Sequence, residues 1–362
     1  MPVVSTRILP FIVVSLATAP AAATAQAPAP QAAAGSRAQA SQTPASCPAP
    51  EARQFDFWIG EWNVRNRQSP PANPGRWYDT GTATDRVYPV VDGCAIIEHW
   101  RGTVFQGFVT GFSVRAWNAD SGVWDLVLLW PSPGQPRFGE LHGTFRHGRG
   151  EFLARRATPA GDTTVTRFSF ADITPSSLRW QSETSNDAGA SWSSTWIMEF
   201  SRRDPVRDDG LWNGPAMTTD RCPDDVHRTF DARLGEWTGR RIAGGGEPTE
   251  VRGEAIRILE GCAILERVWA VDRAWESMTV RAWEPDPGHW VQYTLRTDDP
   301  TLRRWEAPAA DQPFTLVTAG AGSARMTARD SANAWGWTRE ARDGAGAWAT
   351  VEQVRLAERV AR

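Results

Sequence analysis

The chain has 362 residues and a formal net charge of −3. This balance excludes the strongly basic surface that binds nucleic acid or an anionic membrane, so neither is expected as a partner. The composition stands out in its 20 tryptophans, against three tyrosines, and in its four cysteines.

The N-terminus has the pattern of a secretory signal peptide, predicted at residues 1–25. One basic residue, Arg7, precedes an apolar stretch from Ile8 to about Ala17, and small residues follow up to Ala25. Such peptides have this order of charge, apolar segment and A-x-A-like cleavage site. We therefore expect a periplasmic or secreted protein. An uncleaved anchor is the alternative, although the apolar stretch is shorter than the roughly 20 residues of a membrane span. No later segment is apolar enough to span.

The rest of the chain is predicted to form two domains. Residues 26–46 are mostly Ala, Pro, Gln and Ser and are expected to be a disordered spacer. Residues 204–221 are rich in Asp, Gly and Pro, which indicates a linker. The folded domains are then residues 47–203 and 222–360, each near the usual size of a domain.

The two domains are copies of one pattern. Segments of the first copy recur in the same order in the second: Phe55–Trp62 as Phe230–Trp237, Gly93–Glu98 as Gly261–Glu266, and Val114–Trp117 as Val280–Trp283. A long repeat in a fixed order predicts tandem copies of one fold. A pseudo-dimer of the two domains is one expected arrangement, and independent domains are the other.

Each copy carries two cysteines at matching places. Four cysteines allow three pairings. The duplication favours Cys47 with Cys94 and Cys222 with Cys262, because each domain then keeps its own bridge. An exported protein meets an oxidising compartment, where such bonds persist. Four free thiols or a zinc site are the alternatives, but zinc-binding cysteines normally lie in closely spaced pairs.

The local pattern is one strand after another, rich in Val, Ile, Phe, Trp and Thr. In the first copy the predicted strands include Cys94–Trp100, Val109–Trp117, Val123–Trp130, Gly150–Arg156, Thr163–Phe170 and Ser194–Phe200. Turn signals such as Asn118–Gly122 separate them. This predicts an all-β fold with an up-and-down antiparallel barrel in each domain. Helix is expected only as one or two turns in Pro50–Trp58 and Asp224–Leu234.

In its repeated segments the chain resembles a family of exported bacterial proteins of unknown function. The shared patterns are F-D-F-W-x-G-x-W, G-C-x-x-x-E-x-W and S-x-D-x-G-x-x-W, here Phe55–Trp62, Gly93–Trp100 and Ser185–Trp192. The family is similar to domain-of-unknown-function families with lipocalin-like, or calycin-type, barrels. The resemblance therefore implies two tandem lipocalin-like β-barrels. It is closer in the first copy, because Phe57 and Trp58 become Ala232 and Arg233 in the second.

A glutamate and an arginine recur in both copies, Glu98 as Glu266 and Arg115 as Arg281. Strand alternation places Arg115 and Trp117 on one face, and Glu98 and Trp100 on another. If both faces point inward, each barrel holds a Glu and an Arg close together. A structural ion pair is one interpretation, because a buried charge needs a partner. The other is that Arg115 binds an anionic head group such as a carboxylate.

The tryptophans allow two interpretations as well. Most are expected to pack in the core, but a cavity lined by indole rings also suits an apolar ligand. The candidate ligand-binding residues are Glu98, Trp100, Arg115, Trp117, Trp130, Glu266, Arg281 and Trp283.

No catalytic residue, metal or cofactor is assigned. The sequence lacks G-x-S-x-G and H-E-x-x-H motifs. His142 and His147 are an odd number of positions apart, so on one strand they face opposite sides and make a poor metal pair. A single histidine as haem ligand is an alternative that the resemblance implies.

The pattern favours non-catalytic binding of a small apolar or amphiphilic ligand in a Trp-lined barrel. Two alternatives stay open. One is an isomerase or hydrolase that uses Glu98 as general base beside Arg115. The other is an envelope structural or interaction module whose barrels are packed solid and hold no ligand.

Overall fold

The computed structural model describes residues 47, 49–70, 72–105, 107–132, 135–158, 161–204, 220–286, 288–309, 314–318, 324–331, 333–344 and 346–360. The predicted signal peptide and spacer lie outside the described residues, and so does most of the predicted linker.

The first domain is a closed barrel of ten antiparallel strands, in which each strand pairs with the next along the chain and the last pairs with the first. In β1, Trp62, Val64 and Asn66 are buried while Asn63 and Arg65 are exposed, the alternation of a strand with one face inward. The strands are β1 (Gly60–Gln68), β2 (Tyr78–Val90), β3 (Ala95–Val104), β4 (Gly107–Asn118), β5 (Val123–Ser132), β6 (Gln135–Arg146), β7 (Arg149–Ala157), β8 (Thr163–Ala171), β9 (Ser177–Ser185) and β10 (Ser193–Arg202).

The second domain is a second closed barrel of ten antiparallel strands with the same order. Its strands are β11 (Gly235–Ala243), β12 (Thr249–Ile258), β13 (Ala263–Ala270), β14 (Glu276–Glu284), β15 (His289–Arg296), β16 (Asp299–Glu306), β17 (Thr315–Thr318), β18 (Ala324–Ala328), β19 (Trp335–Arg342) and β20 (Trp348–Arg359). The predicted all-β fold of two up-and-down barrels is therefore confirmed.

The described helices are single 3-10 turns. Two precede the first strand of each barrel, where turns were predicted, and another lies between β12 and β13: Pro50–Arg53, Asp56–Trp58, Asp225–Arg228, Asp231–Arg233 and Leu259–Gly261. Among the described residues, no helix has the length and apolar character needed to cross a membrane.

The F-D-F-W-x-G-x-W motif closes one end of the first barrel. Phe55, Trp58 and Trp62 are almost fully buried, and the indole nitrogen of Trp62 donates to the Trp58 carbonyl at 2.7 Å. Arg202 stacks on Trp62 at 3.7 Å and donates to the backbone carbonyls on either side of Trp58. Gly60 has a φ of 120°, and a Cβ there would lie 2.7 Å from the Arg202 guanidinium. Only glycine satisfies both the turn and the stacked arginine.

The second barrel repeats this plug. Trp237 donates to the Arg233 carbonyl at 2.8 Å, and Arg359 lies over the Trp237 ring. Gly235 again has a positive φ, of 107°. The repeated sequence motif thus forms the same plug in both barrels.

The disulfides join Cys47 to Cys94 and Cys222 to Cys262, the pairing that the repeat favoured. Each ties the segment before the first strand to the turn before the third strand. The described residues contain no free cysteine.

One hydrophobic cluster draws on both barrels. The outer faces of β4 to β6 contribute Phe112, Val127 and Phe138, and the second barrel contributes Val280 and Tyr293. The ring centroids of Phe138 and Tyr293 are 4.8 Å apart. The two barrels therefore share a part of their apolar burial.

We expect each bridge to stabilise its barrel by restricting the unfolded chain. The bridges span 47 and 40 positions, for which the chain-entropy estimate is about 4 kcal/mol each. Replacing Cys222 and Cys262 together with Ser should lower the free energy of unfolding by about 2–4 kcal/mol, measured by denaturant titration. The matching Cys47/Cys94 variant should behave alike. An unchanged midpoint in both would contradict the prediction.

Candidate functional site

The first barrel encloses a cavity of about 590 Å³. Small-molecule sites typically have volumes of about 300–1,000 Å³ and mostly apolar walls. The walls here are apolar and largely aromatic: Trp100, Trp130, Trp180, Trp196, Phe168, Leu128, Leu141 and Met198.

Four indole rings form one continuous wall. The Trp196 ring centroid lies 6.0, 5.2 and 5.5 Å from those of Trp100, Trp130 and Trp180. The Trp196 indole nitrogen donates to Asn66, which fixes the ring orientation. Beside Trp130, a Cβ on Gly111 would lie 2.7 Å from the indole, so glycine leaves the space that this ring occupies.

A compact polar group forms the floor of the cavity. Ser113 and Arg115 both donate to the same oxygen of Glu98, Arg115 at 3.2 Å. Arg115 also donates to the Ser113 hydroxyl at 2.8 Å. Its guanidinium lies 4.0 Å from the centre of the Trp58 ring, a cation–π contact. The plug and the ion pair thus hold each other in place.

Asp85 lies beside this pair and is fully buried on β2. Neither carboxylate oxygen has a hydrogen-bond partner among the described residues. Burial, with the nearby Glu98 charge, raises the pKa of Asp85 well above its usual value, and Arg115 opposes the rise. The backbone amide of Arg86 also lowers the pKa of Asp85 slightly, although it is not aligned well enough to count as a hydrogen bond. Asp85 therefore keeps its proton to a higher pH than an exposed carboxyl group does.

The structure brings four of the candidate residues of the first barrel to the cavity: Glu98, Trp100, Arg115 and Trp130. Trp117 is outside the lining and packs against Trp124, with ring centroids 6.1 Å apart. Both terminal nitrogens of Arg115 are already bonded within the protein. Arg115 therefore acts in an internal ion pair rather than as an open fork for a carboxylate.

The corresponding end of the second barrel holds a larger charge cluster. Arg233, which stands where the first copy has Trp58, donates to Glu266 at 3.0 Å and to Asp330 at 2.6 Å. Arg281 donates to the other oxygen of Glu266 at 2.5 Å. Two guanidinium groups and two carboxylates thus neutralise one another inside the barrel.

These contacts shift the pKa values of the charged groups in the cluster. Burial would raise the pKa of Glu266, but Arg233 and Arg281 outweigh it and the pKa is lowered. Burial would lower the pKa of Arg233, but Glu266 and Asp330 outweigh it and the pKa is raised. Burial and the neighbouring Arg233 lower the pKa of Arg281 to about 10. Glu266, Arg233 and Arg281 therefore stay charged at neutral pH.

The second barrel has no acid at the position that corresponds to Asp85. Gly253 pairs with Trp237 as Asp85 pairs with Trp62, so a glycine stands where the first barrel has Asp85. A Cβ there would lie 2.7 Å from Leu356 and 3.4 Å from Trp335, which fill the space. The remaining candidate, Trp283, packs against Trp290 with ring centroids 6.2 Å apart.

The cavity reaches the surface between β6 and β7. Their pairing runs from Arg146–Arg149 to His142–Leu153 and ends there, although both strands continue. Residues 135–141 of β6 and 154–157 of β7 are therefore not joined by the ladder. We call this gap the portal. The cavity lining includes exposed Arg137 on one side of it and exposed Arg155 and Arg156 on the other.

The second barrel holds the β6 side of the portal. The Phe138 amide donates to Glu284 at 3.1 Å. Tyr293 donates to Glu140, and Arg304 donates to the same Glu140 oxygen at 3.0 Å. The edge of β6 thus gains from the neighbouring barrel the contacts that it does not make with β7.

No histidine is among the residues that line the cavity. His142 is exposed and bonds Asp125 at 2.7 Å. His147 lies in the turn after β6 with a φ of 51°, so His142 and His147 do not share a strand. Within the described part of the chain, no group of three or more His, Cys, Asp or Glu could hold a metal ion.

Sequence reasoning missed Asp85, Trp180, Trp196 and the portal. Asp85 is on β2, which was not among the predicted strands. The signal was present, because Ala83, Asp85 and Val87 alternate on one face of Tyr78–Val90. An acid among apolar residues on an inward face would have pointed to the site.

Several solved structures are similar to the chain, whereas no protein-family model and no curated protein matches it. Rv2717c from M. tuberculosis has 13% identity and a TM-score of 0.31, covering 43% of this chain and 99% of its own. A DUF3598-family protein of unknown function from Nostoc punctiforme PCC 73102 has 11% identity and a TM-score of 0.24, covering 86% and 100%. An S-type phycobiliprotein lyase from Guillardia theta has 12% and 0.25, covering 44% and 100%. None of these likenesses indicates what this chain binds, and the resemblance to an exported family rests on the motifs alone.

The raised pKa of Asp85 predicts a pH dependence of stability. Its raised pKa means that the folded protein holds a proton that the unfolded chain loses above about pH 4. Its contribution is therefore full below pH 4 and declines as the pH rises, by about 1.4 kcal/mol per unit until the folded pKa is passed. Asp85→Asn, which cannot ionise, should become progressively more stable relative to the unmodified protein as the pH rises from 4 toward the folded pKa of Asp85.

The measurement is the free energy of unfolding by urea across that range. Asp120→Asn makes the same exchange at a solvent-exposed turn and serves as control. A difference between the Asp85→Asn variant and the unmodified protein that does not change with pH would show that Asp85 is ionised in the fold.

Proposed function

We propose that the chain is a non-catalytic binding protein that holds a small apolar or amphiphilic ligand in its first barrel. The observation that carries this proposal is the 590 Å³ cavity with its wall of tryptophans and its portal to solvent. An apolar body among these rings would leave water, at about 25 cal/mol for each Å² buried. A barrel packed solid would offer no such site, which disfavours the purely structural alternative.

Binding accounts for the floor of the cavity better than catalysis does. Glu98 lines the cavity, as a general base would need to. Yet one of its oxygens accepts hydrogen bonds from both Ser113 and Arg115. This arrangement holds the carboxylate in an ion pair and suits a fixed polar floor, so isomerase or hydrolase activity is the second candidate.

The second barrel is proposed to serve as a partner for the first. Its Arg233, Glu266, Arg281 and Asp330 are bonded to one another, which favours an internal charge cluster over a ligand site. Its contacts with Phe138 and Glu140 support the β6 edge of the portal. The ligand-binding role is thus assigned to the first copy.

We further propose that the protein works outside the cytoplasm, in the periplasm or as a secreted protein. Two disulfides fit an extracellular protein, because such bonds persist in an oxidising compartment. The signal-peptide pattern of residues 1–25 supports the same location.

A pseudo-dimer of the two barrels is proposed as well. It is supported by reciprocal contacts: β6 packs on β14, and β16, which corresponds to β6, packs on β4, which corresponds to β14. Such a pair should unfold as one unit, because the apolar cluster of Phe138 and Tyr293 belongs to both barrels.

Calorimetry tests this arrangement. Phe138→Ala should destabilise the protein by about 3 kcal/mol and separate the unfolding of the two barrels. Phe105→Ala, at an exposed ring, should change stability by less than about 0.5 kcal/mol. Two independent transitions in the unmodified protein would rule out a coupled pair.

The binding proposal is tested by filling the portal. Nothing lies within 4 Å of a Cβ built on Gly139, whose φ is outside the left-handed region. Gly139→Leu should therefore fold and narrow the cavity entrance. We expect one molecule of the neutral fluorophore N-phenyl-1-naphthylamine to bind the unmodified protein, and Gly139→Leu to weaken it by about tenfold or more, which is 1.4 kcal/mol.

The matched control is Gly344→Leu in the second barrel, where a Cβ also meets nothing within 4 Å. It should bind the fluorophore like the unmodified protein. Absence of saturable binding, or equal weakening in both variants, would count against a ligand site behind the portal.

A further inference from the structure

We infer that the ligand is an anionic amphiphile, with its apolar chain among the tryptophans and its negative head group at the portal. The inference rests on the proposed binding function and concerns the class and orientation of the ligand. It starts from an asymmetry in the cavity, whose two ends differ in how their charges are paired.

The inner end offers no free charge. Arg115 and Glu98 are bonded to each other, and Asp85 is fully buried with its pKa raised, which favours the neutral carboxyl group. A charged head group placed there would lose its hydration and break an existing ion pair. The inner end therefore favours the apolar part of a ligand.

The portal carries positive charge that no described residue pairs closely. Arg155 and Arg156 are exposed, line the cavity and make no ion pair with any described residue. Arg137, on the opposite edge, has only a long contact of 4.0 Å to the exposed Asp286. The acid of the same rim, Glu140, is bonded to Tyr293 and Arg304 of the second barrel. The net charge that faces an incoming ligand is positive.

The strand register places Arg155 and Arg156 next to the open space of the portal. Extending the β6–β7 pairing beyond His142–Leu153 would put Arg156 opposite Gly139 and Arg155 opposite Glu140. Since Gly139 carries no side chain, the space before Arg156 stays open. Guanidinium groups bind carboxylate and phosphate oxygens through paired hydrogen bonds. A head group emerging between the strands would meet them there.

Isothermal titration calorimetry with four 12-carbon probes tests this: dodecanoate, dodecyl phosphate, dodecanol and dodecyltrimethylammonium, each below its micelle concentration at pH 8. We expect one anion or both to bind about tenfold more tightly than dodecanol, and the cation most weakly. The ratio between the two anions distinguishes a carboxylate from a phosphate head group. Added salt should weaken the anions and leave dodecanol unchanged.

The double variant Arg155→Gln/Arg156→Gln should bring the affinity for the anions close to that for dodecanol. The control Arg252→Gln/Arg355→Gln removes the same charge from exposed positions on the second barrel and should preserve the preference. Equal binding of dodecanol and the anions, or a preference that survives the portal variant, would overturn the inference while leaving a binding barrel. No binding of any probe would refute the proposed function itself.

Discussion

The buried ion pair between a glutamate on the third strand and an arginine on the fourth is the constraint on which each barrel is built. Desolvating a charge inside a protein costs several kcal/mol unless partners replace the water. In the first barrel Glu98, Ser113 and the Trp58 ring supply those partners to Arg115. Trp58 in turn belongs to the plug that Gly60 and Arg202 hold in place. The motif at the start of each copy therefore covers the buried ion pair of that barrel.

The contrast between the barrels follows from what covers the arginine. In the first barrel the uncharged Trp58 ring covers Arg115. The ion pair at this end therefore consists of one cation, Arg115, and one anion, Glu98. The second barrel has a cation, Arg233, at the same place, and a further acid is needed to balance it. Asp330 supplies that charge from the segment between β18 and β19. One exchange, Trp58 for Arg233, thus accompanies a larger polar cluster and a glycine in place of Asp85.

Sequence patterns were sufficient for the features set by periodicity and by the repeat. Alternation on β3 and β4 predicted that Glu98 and Arg115 lie close together, and the 3.2 Å contact has that geometry. The duplication predicted the disulfide pairing. The portal was beyond such reasoning, because the length of a strand ladder depends on the curvature of the closed sheet. The same is true of Asp330, which balances a residue 97 positions away.

A gap in a barrel wall needs a physical reason to stay open, because unpaired strand edges tend to close or to pair with another chain. Here the contacts of β6 with the second barrel provide one. Phe138 packs on Tyr293 and Glu140 is bonded to Arg304, so closing the gap would require these contacts to break. If the first barrel binds the ligand, as we propose, the second barrel can still affect binding, because its contacts hold one edge of the entrance. In that proposal the first barrel supplies the cavity, and the contacts of the second barrel with β6 help to keep its entrance open.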